Sequence, residues 1–100
     1  MIIVSDRELS ELYDKAVEMY FECINNDYAS LQEEISIPIE QIVLKHSSVK
    51  VVFCDNIPKI DSWEVTIILW DESSMIGRYT YIEDDQGNAL DDILVFGRKG

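Results

Sequence analysis

Histidine, cysteine, glycine and proline are all scarce in this chain, and each scarcity closes a class of function. His46 is the only histidine. Cys23 and Cys54 fall in no Cys-x-x-Cys or Cys/His spacing, so no zinc or iron–sulfur framework follows. One disulfide or two free thiols would both satisfy the count, and buried thiols in a reducing compartment are the simpler reading. The four glycines stand at 77, 87, 97 and 100, which excludes both the dinucleotide-binding G-x-G-x-x-G and the phosphate-cradling G-x-x-x-x-G-K-[ST]. With only two prolines besides, no low-complexity linker divides the chain. Long apolar runs are missing too, and none reaches the roughly 18–20 residues of a membrane span. The start Met1-Ile2-Ile3-Val4-Ser5-Asp6 lacks the basic first region and apolar length of a secretory leader. A cytoplasmic location is the resulting expectation.

Positive charge is the last deficit. Eight Lys and Arg face twenty Asp and Glu, for a formal net charge of −12. Such a surface repels nucleic acid and anionic membrane, because each contact would oppose like charges. It draws in a basic protein, with a rate that falls as salt screens the field. The bland alternative is that the acids serve solubility alone. Disorder does not follow from the charge, since 47 % of the residues are hydrophobic and 10 % aromatic. One domain over residues 1–100 fits the usual domain size.

Catalytic constellations fail on spacing or on partners. A Cys–His nucleophile pair would need Cys23 or Cys54 to meet His46, with no third group to orient them. In Asp84-Asp85-Gln86-Gly87-Asn88, placing Gly87 sixth in a calcium loop puts Ile82 first, where a ligating acid is required. Paired carboxylates abound, but glycosidase-type chemistry needs a deep cleft and one raised pKa. No catalytic residue, cofactor site or metal site is therefore expected.

The clearest element is N-terminal. Ser5 stands three residues before Glu8, the capping-box spacing. Leu9, Leu12, Tyr13, Ala16, Met19, Tyr20, Cys23 and Ile24 then recur three and four apart, while Asp6, Glu8, Glu11, Asp14, Glu18 and Glu22 occupy the other faces. A helix is expected over residues 6–25, stopped by Asn25-Asn26-Asp27. Ser30 with Glu33 offers a second capping pattern and one short helical turn. Pro38 suits a helix start, and Ile39, Ile42, Val43 and His46 would share a face. A short second helix over residues 38–46 is expected, with a strand at 35–39 as the competing reading.

Beyond Ser48 the period changes to two, with strands expected at 49–54, 63–70, 77–83 and 91–96. In the second of these, Trp63, Val65, Ile67 and Leu69 point one way, and Glu64, Thr66, Ile68 and Trp70 the other. That second side is half apolar, which implies cover on both faces. Gly87 and Asn88 suit a tight hairpin, and the tail 97–100 is expected to fray. The class is α+β: a four-stranded, mainly antiparallel meander with helices packed on one face.

Two features offer interaction surface. Asp71 and Glu72 lie in one connection, and Glu83, Asp84, Asp85, Asp91 and Asp92 surround the next, with Arg78 the only base among them. These connections flank opposite ends of one strand and need not form one patch. Trp70, Tyr79 and Tyr81 stand beside them, as interface anchors or as cross-strand packing. The acidic face of the first helix is a rival docking surface.

The run Gly77-Arg78-Tyr79-Thr80-Tyr81-Ile82-Glu83-Asp84-Asp85-Gln86-Gly87-Asn88-Ala89-Leu90-Asp91-Asp92-Ile93-Leu94-Val95-Phe96 resembles hairpins of small bacterial immunity proteins from polymorphic-toxin and contact-dependent inhibition systems. The resemblance covers about a fifth of the chain. It implies a protein that neutralises a cognate toxin, commonly a basic nuclease, by covering its active or substrate-binding surface. It carries no family contact positions onto this sequence. Charge leads to the same expectation separately: a nuclease needs positive charge to hold phosphates, and its inhibitor gains by being negative. The expectation is a non-catalytic immunity protein acting by stoichiometric binding. An acidic adaptor or DNA mimic that occupies another basic groove is the second class. A small enzyme or ligand-binding module with a pocket between helix and sheet is the third.

Overall fold

The computed structural model describes residues 5–57 and 59–97. The order is helix α1 (Asp6–Asn26), helix α2 (Tyr28–Glu34), a 3₁₀ turn (Ile39–Gln41), then strands β1 (Val43–Phe53), β2 (Ile60–Asp71), β3 (Ser74–Asp84) and β4 (Ala89–Phe96). The strands form one antiparallel sheet in the order β1-β2-β3-β4, with the helices on one side. This is the expected α+β meander.

The capping box forms as the Ser5/Glu8 spacing predicts. The Ser5 hydroxyl accepts from the Glu8 amide at 3.1 Å, and the Ser5 amide donates to the Glu8 carboxylate at 3.3 Å. The stripe then buries Ala16, Tyr20 and Ile24 against Val65, Ile67, Leu69, Tyr79 and Tyr81 of the sheet. Tyr20 meets Tyr79 edge to face, with centroids 5.6 Å apart, a favoured aromatic geometry.

The second helix lies earlier than expected. It occupies Tyr28–Glu34, and residues 38–46 hold one 3₁₀ turn followed by the start of β1. Pro38 has ψ 136°, an extended conformation rather than a helical first turn. Gln32 secures that geometry: its amide nitrogen donates to the Ile37 carbonyl at 2.7 Å, and its oxygen accepts from the Ile39 amide at 3.0 Å. Val43, Leu44, Lys45 and His46 then pair with Trp70, Leu69, Ile68 and Ile67. A full ladder on the central strand outweighs the helical spacing of Ile39, Ile42, Val43 and His46. The competing strand at 35–39 does not form either.

The hairpin at Gly87 has φ +84°, as expected from its residue types. The β2–β3 turn instead places Glu72 in the left-handed region, at φ 48°, with no glycine to signal it. The tail expected to fray begins at Gly97, whose amide instead donates to the Ile76 carbonyl at 2.8 Å; residues 98–100 lie outside the described set.

The sheet has cover on one face only, which corrects the expectation of two. Val65, Ile67 and Leu69 are fully buried beneath the helices, while Thr66, Ile68 and Trp70 on the opposite side are only half buried. No described segment packs over them from outside the sheet.

Candidate protein-interaction surfaces

The candidate residues separate into four settings. Tyr79 and Tyr81 point into the helix-covered side and are fully buried, so they offer no surface to a partner. Burial pushes the Tyr81 hydroxyl up to about 12, helped by the Glu83 charge. Tyr79 is pushed higher, first by burial and then by its bond to Asp92. Its hydroxyl donates to the Asp92 carboxylate at 2.8 Å, which ties the β4 edge to the core. Nearby, burial raises the Cys23 thiol above its ordinary value, and the charges of Asp92 and Asp27 add to the effect.

Trp70 lies on the open side of the sheet, with the Lys45 ammonium 4.5 Å from its ring centroid, a cation–π contact. Asp91 shares that open side, paired with Ile82. Asp71 and Glu72 form the β2–β3 turn, and Glu83, Asp84 and Asp85 lie at the far end of β3. Ten steps of extended chain separate these ends, about 30 Å. The acids are therefore two clusters.

Asp84 is committed to its own turn. It accepts from the amides of Gln86 and Asn88 at 2.8 and 2.9 Å and from the Asn88 side chain at 3.2 Å. These donors, the Asn88 amide foremost, hold its carboxyl below the usual range. Its role is to shape the hairpin that presents Glu83 and Asp85.

That hairpin meets the first helix. Glu83, Asp85 and Gly87 line a groove of about 360 Å³ with Glu8, Glu11, Leu12, Lys15 and Trp63. Two acidic surfaces that are rivals in the sequence thus form one: four carboxylates and one ammonium around a half-buried indole. Glu11 is partly engaged by Arg7 at 3.3 Å on the exposed helix face. Trp63 was not among the sequence candidates. Its cross-strand partner is Glu83, and only the strand register brings the two together.

A second groove of about 440 Å³ lies at the opposite end, between Glu33, Glu34 and Asp71, with Ile35, Ile76 and Phe96 among its walls. It is acidic as well, but it includes only one of the predicted residues.

Neither groove presents obvious chemistry. Among the described residues no three His, Cys, Asp or Glu side chains are placed to hold a metal ion. His46 stacks face to face on Tyr13, with centroids 3.9 Å apart. Both cysteines are free and half buried. No described helix is long and apolar enough to cross a membrane. No family model matches the chain, and neither a curated protein nor a solved structure matches it.

Proposed function

We propose that this protein is a non-catalytic, cytoplasmic immunity protein that blocks a basic bacterial toxin, of nuclease type, by stoichiometric binding. The observation that carries the reading is the convergence of Glu8 and Glu11 from α1 with Glu83 and Asp85 from the β3–β4 hairpin around Trp63. An aromatic floor inside an acidic rim is the arrangement that receives Lys and Arg side chains from a partner: the charge speeds and orients encounter, and the indole supplies desolvated contact area. The net charge of −12 extends that attraction beyond the groove. The hairpin that resembles immunity proteins is the same one that closes the groove.

The test begins with the neighbouring reading frames, where the proposal expects a basic, toxin-like protein to assay. Equimolar addition should abolish its nuclease activity, and calorimetry should return one-to-one binding that weakens by about tenfold or more as salt rises. Glu11→Lys with Asp85→Lys should weaken binding by about 10–100-fold, since opposed like charges cost several kcal/mol. Glu34→Lys with Asp71→Lys, in the other groove, should leave it within about twofold. An uninhibited neighbour at equimolar ratio sinks the proposal. The reverse ranking of the two double variants would move the docking face to the opposite end.

A further inference from the structure

The two outer strands each leave one backbone edge without a partner strand among the described residues, and the two edges are unequal. β1 is interrupted by a register shift between His46 and Ser48 and carries Lys45 and Lys50, which are common guards against a further strand. β4 has its register shift at its start, opposite Ile82 and Glu83, and then pairs without interruption from Asp91 to Phe96. It contains no lysine and no proline. The bond from the Gly97 amide to the Ile76 carbonyl sets the phase of its ladder. In an antiparallel pair, alternate residues turn both backbone groups toward the partner strand. Asp91, Ile93 and Val95 therefore bond to β3, while Asp92, Leu94 and Phe96 each direct an N–H and a C=O outward. Ile93 and Val95 stand beside this edge 49 % and 41 % exposed.

We propose that the β4 edge takes up an extended, basic segment of a partner protein as a further strand of the sheet. The outward N–H and C=O groups select an extended chain, because a strand satisfies them in series. Charge selects its composition. Asp91 and Asp92 are the only charged residues of β4. Asp27 lies near enough to Asp92 for the two charges together to raise the Cys23 thiol. At the other end of the strand, Phe96 borders Glu33 and Glu34. On β3, Glu83 stands opposite Ala89, and Arg78, the only base of that strand, stands opposite Val95. Arg98 and Lys99 follow in the sequence, outside the described residues. An edge of this charge repels acidic strands. It admits one with Lys or Arg opposite Asp91 and Asp92 and apolar residues opposite Ile93 and Val95.

A second copy of the chain fits this edge less well. Its β4 brings two more acids and no base. Its β1 brings lysines, but the shift at His46 breaks the ladder they would join. A β4-to-β1 contact also uses unlike surfaces, so it repeats into a filament instead of closing. The edge from Asp91 to Phe96 shares no residue with the groove around Trp63, so the inference does not rest on the function proposed above.

The probe is a blocked peptide of alternating Lys and Val, about seven residues long, enough to span Asp91–Phe96. In the free chain, nuclear magnetic resonance should show the Asp92, Leu94 and Phe96 amides exchanging at least about tenfold faster than those of Asp91, Ile93 and Val95. Saturating peptide should shift the three outward amides and slow their exchange by about tenfold or more. Replacing every Lys of the peptide by Glu should weaken binding by about tenfold or more, and so should Asp91→Lys in the protein. Asp55→Lys makes the same change of charge in the β1–β2 connection and should leave binding within about twofold. A fully N-methylated Lys/Val peptide keeps the charge and loses the donors, and it should not bind. Outward amides already protected in the free chain, or a mass that rises with concentration, would show the edge occupied and overturn the proposal. No shift with the basic peptide, equal binding of its methylated form, or equal effects of the two protein variants would overturn it as well.

Discussion

Raising the pH should unfold this protein through three tyrosines. Tyr20, Tyr79 and Tyr81 are 2 %, 0 % and 0 % exposed. Burial pushes Tyr20 and Tyr81 up to about 12 and Tyr79 further. Unfolded tyrosine ionises near 10. The folded state therefore holds protons that the unfolded state releases, so the contribution is complete below about pH 10 and is lost as pH rises through the folded values. At about pH 11 each tyrosine has cost on the order of 1 kcal/mol, and the three together about 4 kcal/mol. By pH 12 the loss is about 7 kcal/mol. A small domain has about 5–15 kcal/mol in total, so the sheet should melt between about pH 11 and 12. The assay follows tyrosinate absorbance and far-UV circular dichroism together. Two of the five tyrosines should titrate first, and the other three should appear only as the dichroism collapses. Growing negative charge also opposes the fold at high pH, so Tyr79→Phe is the control. Between pH 8 and 11 that variant should lose on the order of 1 kcal/mol less than the natural chain. Five tyrosines titrating near pH 10 in a chain whose dichroism is intact would refute the reasoning.

The same tyrosines differ at neutral pH. The hydroxyls of Tyr20 and Tyr81 are buried without a hydrogen-bond partner, whereas that of Tyr79 bonds Asp92. Tyr81→Phe should be neutral or stabilising by about 1 kcal/mol, and Tyr79→Phe should cost about 1–2 kcal/mol, in urea melts at pH 7. Equal losses would contradict this. Gly77→Ala should destabilise by about 1–3 kcal/mol and loosen β4, because the added Cβ would run into the Val95 carbonyl and lie 3.1 Å from the Phe96 Cα. Amide exchange should then quicken in Ala89–Phe96 before the rest of the sheet, and an unchanged melt would count against that close approach.

Periodicity is a local property, and what is local in this fold was legible. The α1 cap and stripe, the alternation through β2 and the glycine at the last hairpin all read correctly, because each depends on residues within a few positions of one another. The errors came where a distant partner decides. Residues 43–46 carry helical spacing, yet they form the start of β1 because the central strand offers them a ladder. The two acidic surfaces seemed separate because only the register, with Trp63 opposite Glu83, folds the hairpin back toward α1. Tyr79 and Tyr81 resembled anchors because alternation states which residues share a side but not which side is covered.

The Tyr20–Tyr79 contact joins positions about 60 residues apart. During synthesis at about 5–20 residues per second, α1 leaves the ribosome about 3–12 seconds before the strand that receives it. Its apolar stripe spends that interval without a partner. The carboxylates spread over the rest of its surface, from Asp6 to Glu22, repel other nascent chains while it waits. Negative charge thus guards the helix at birth, before any partner is met.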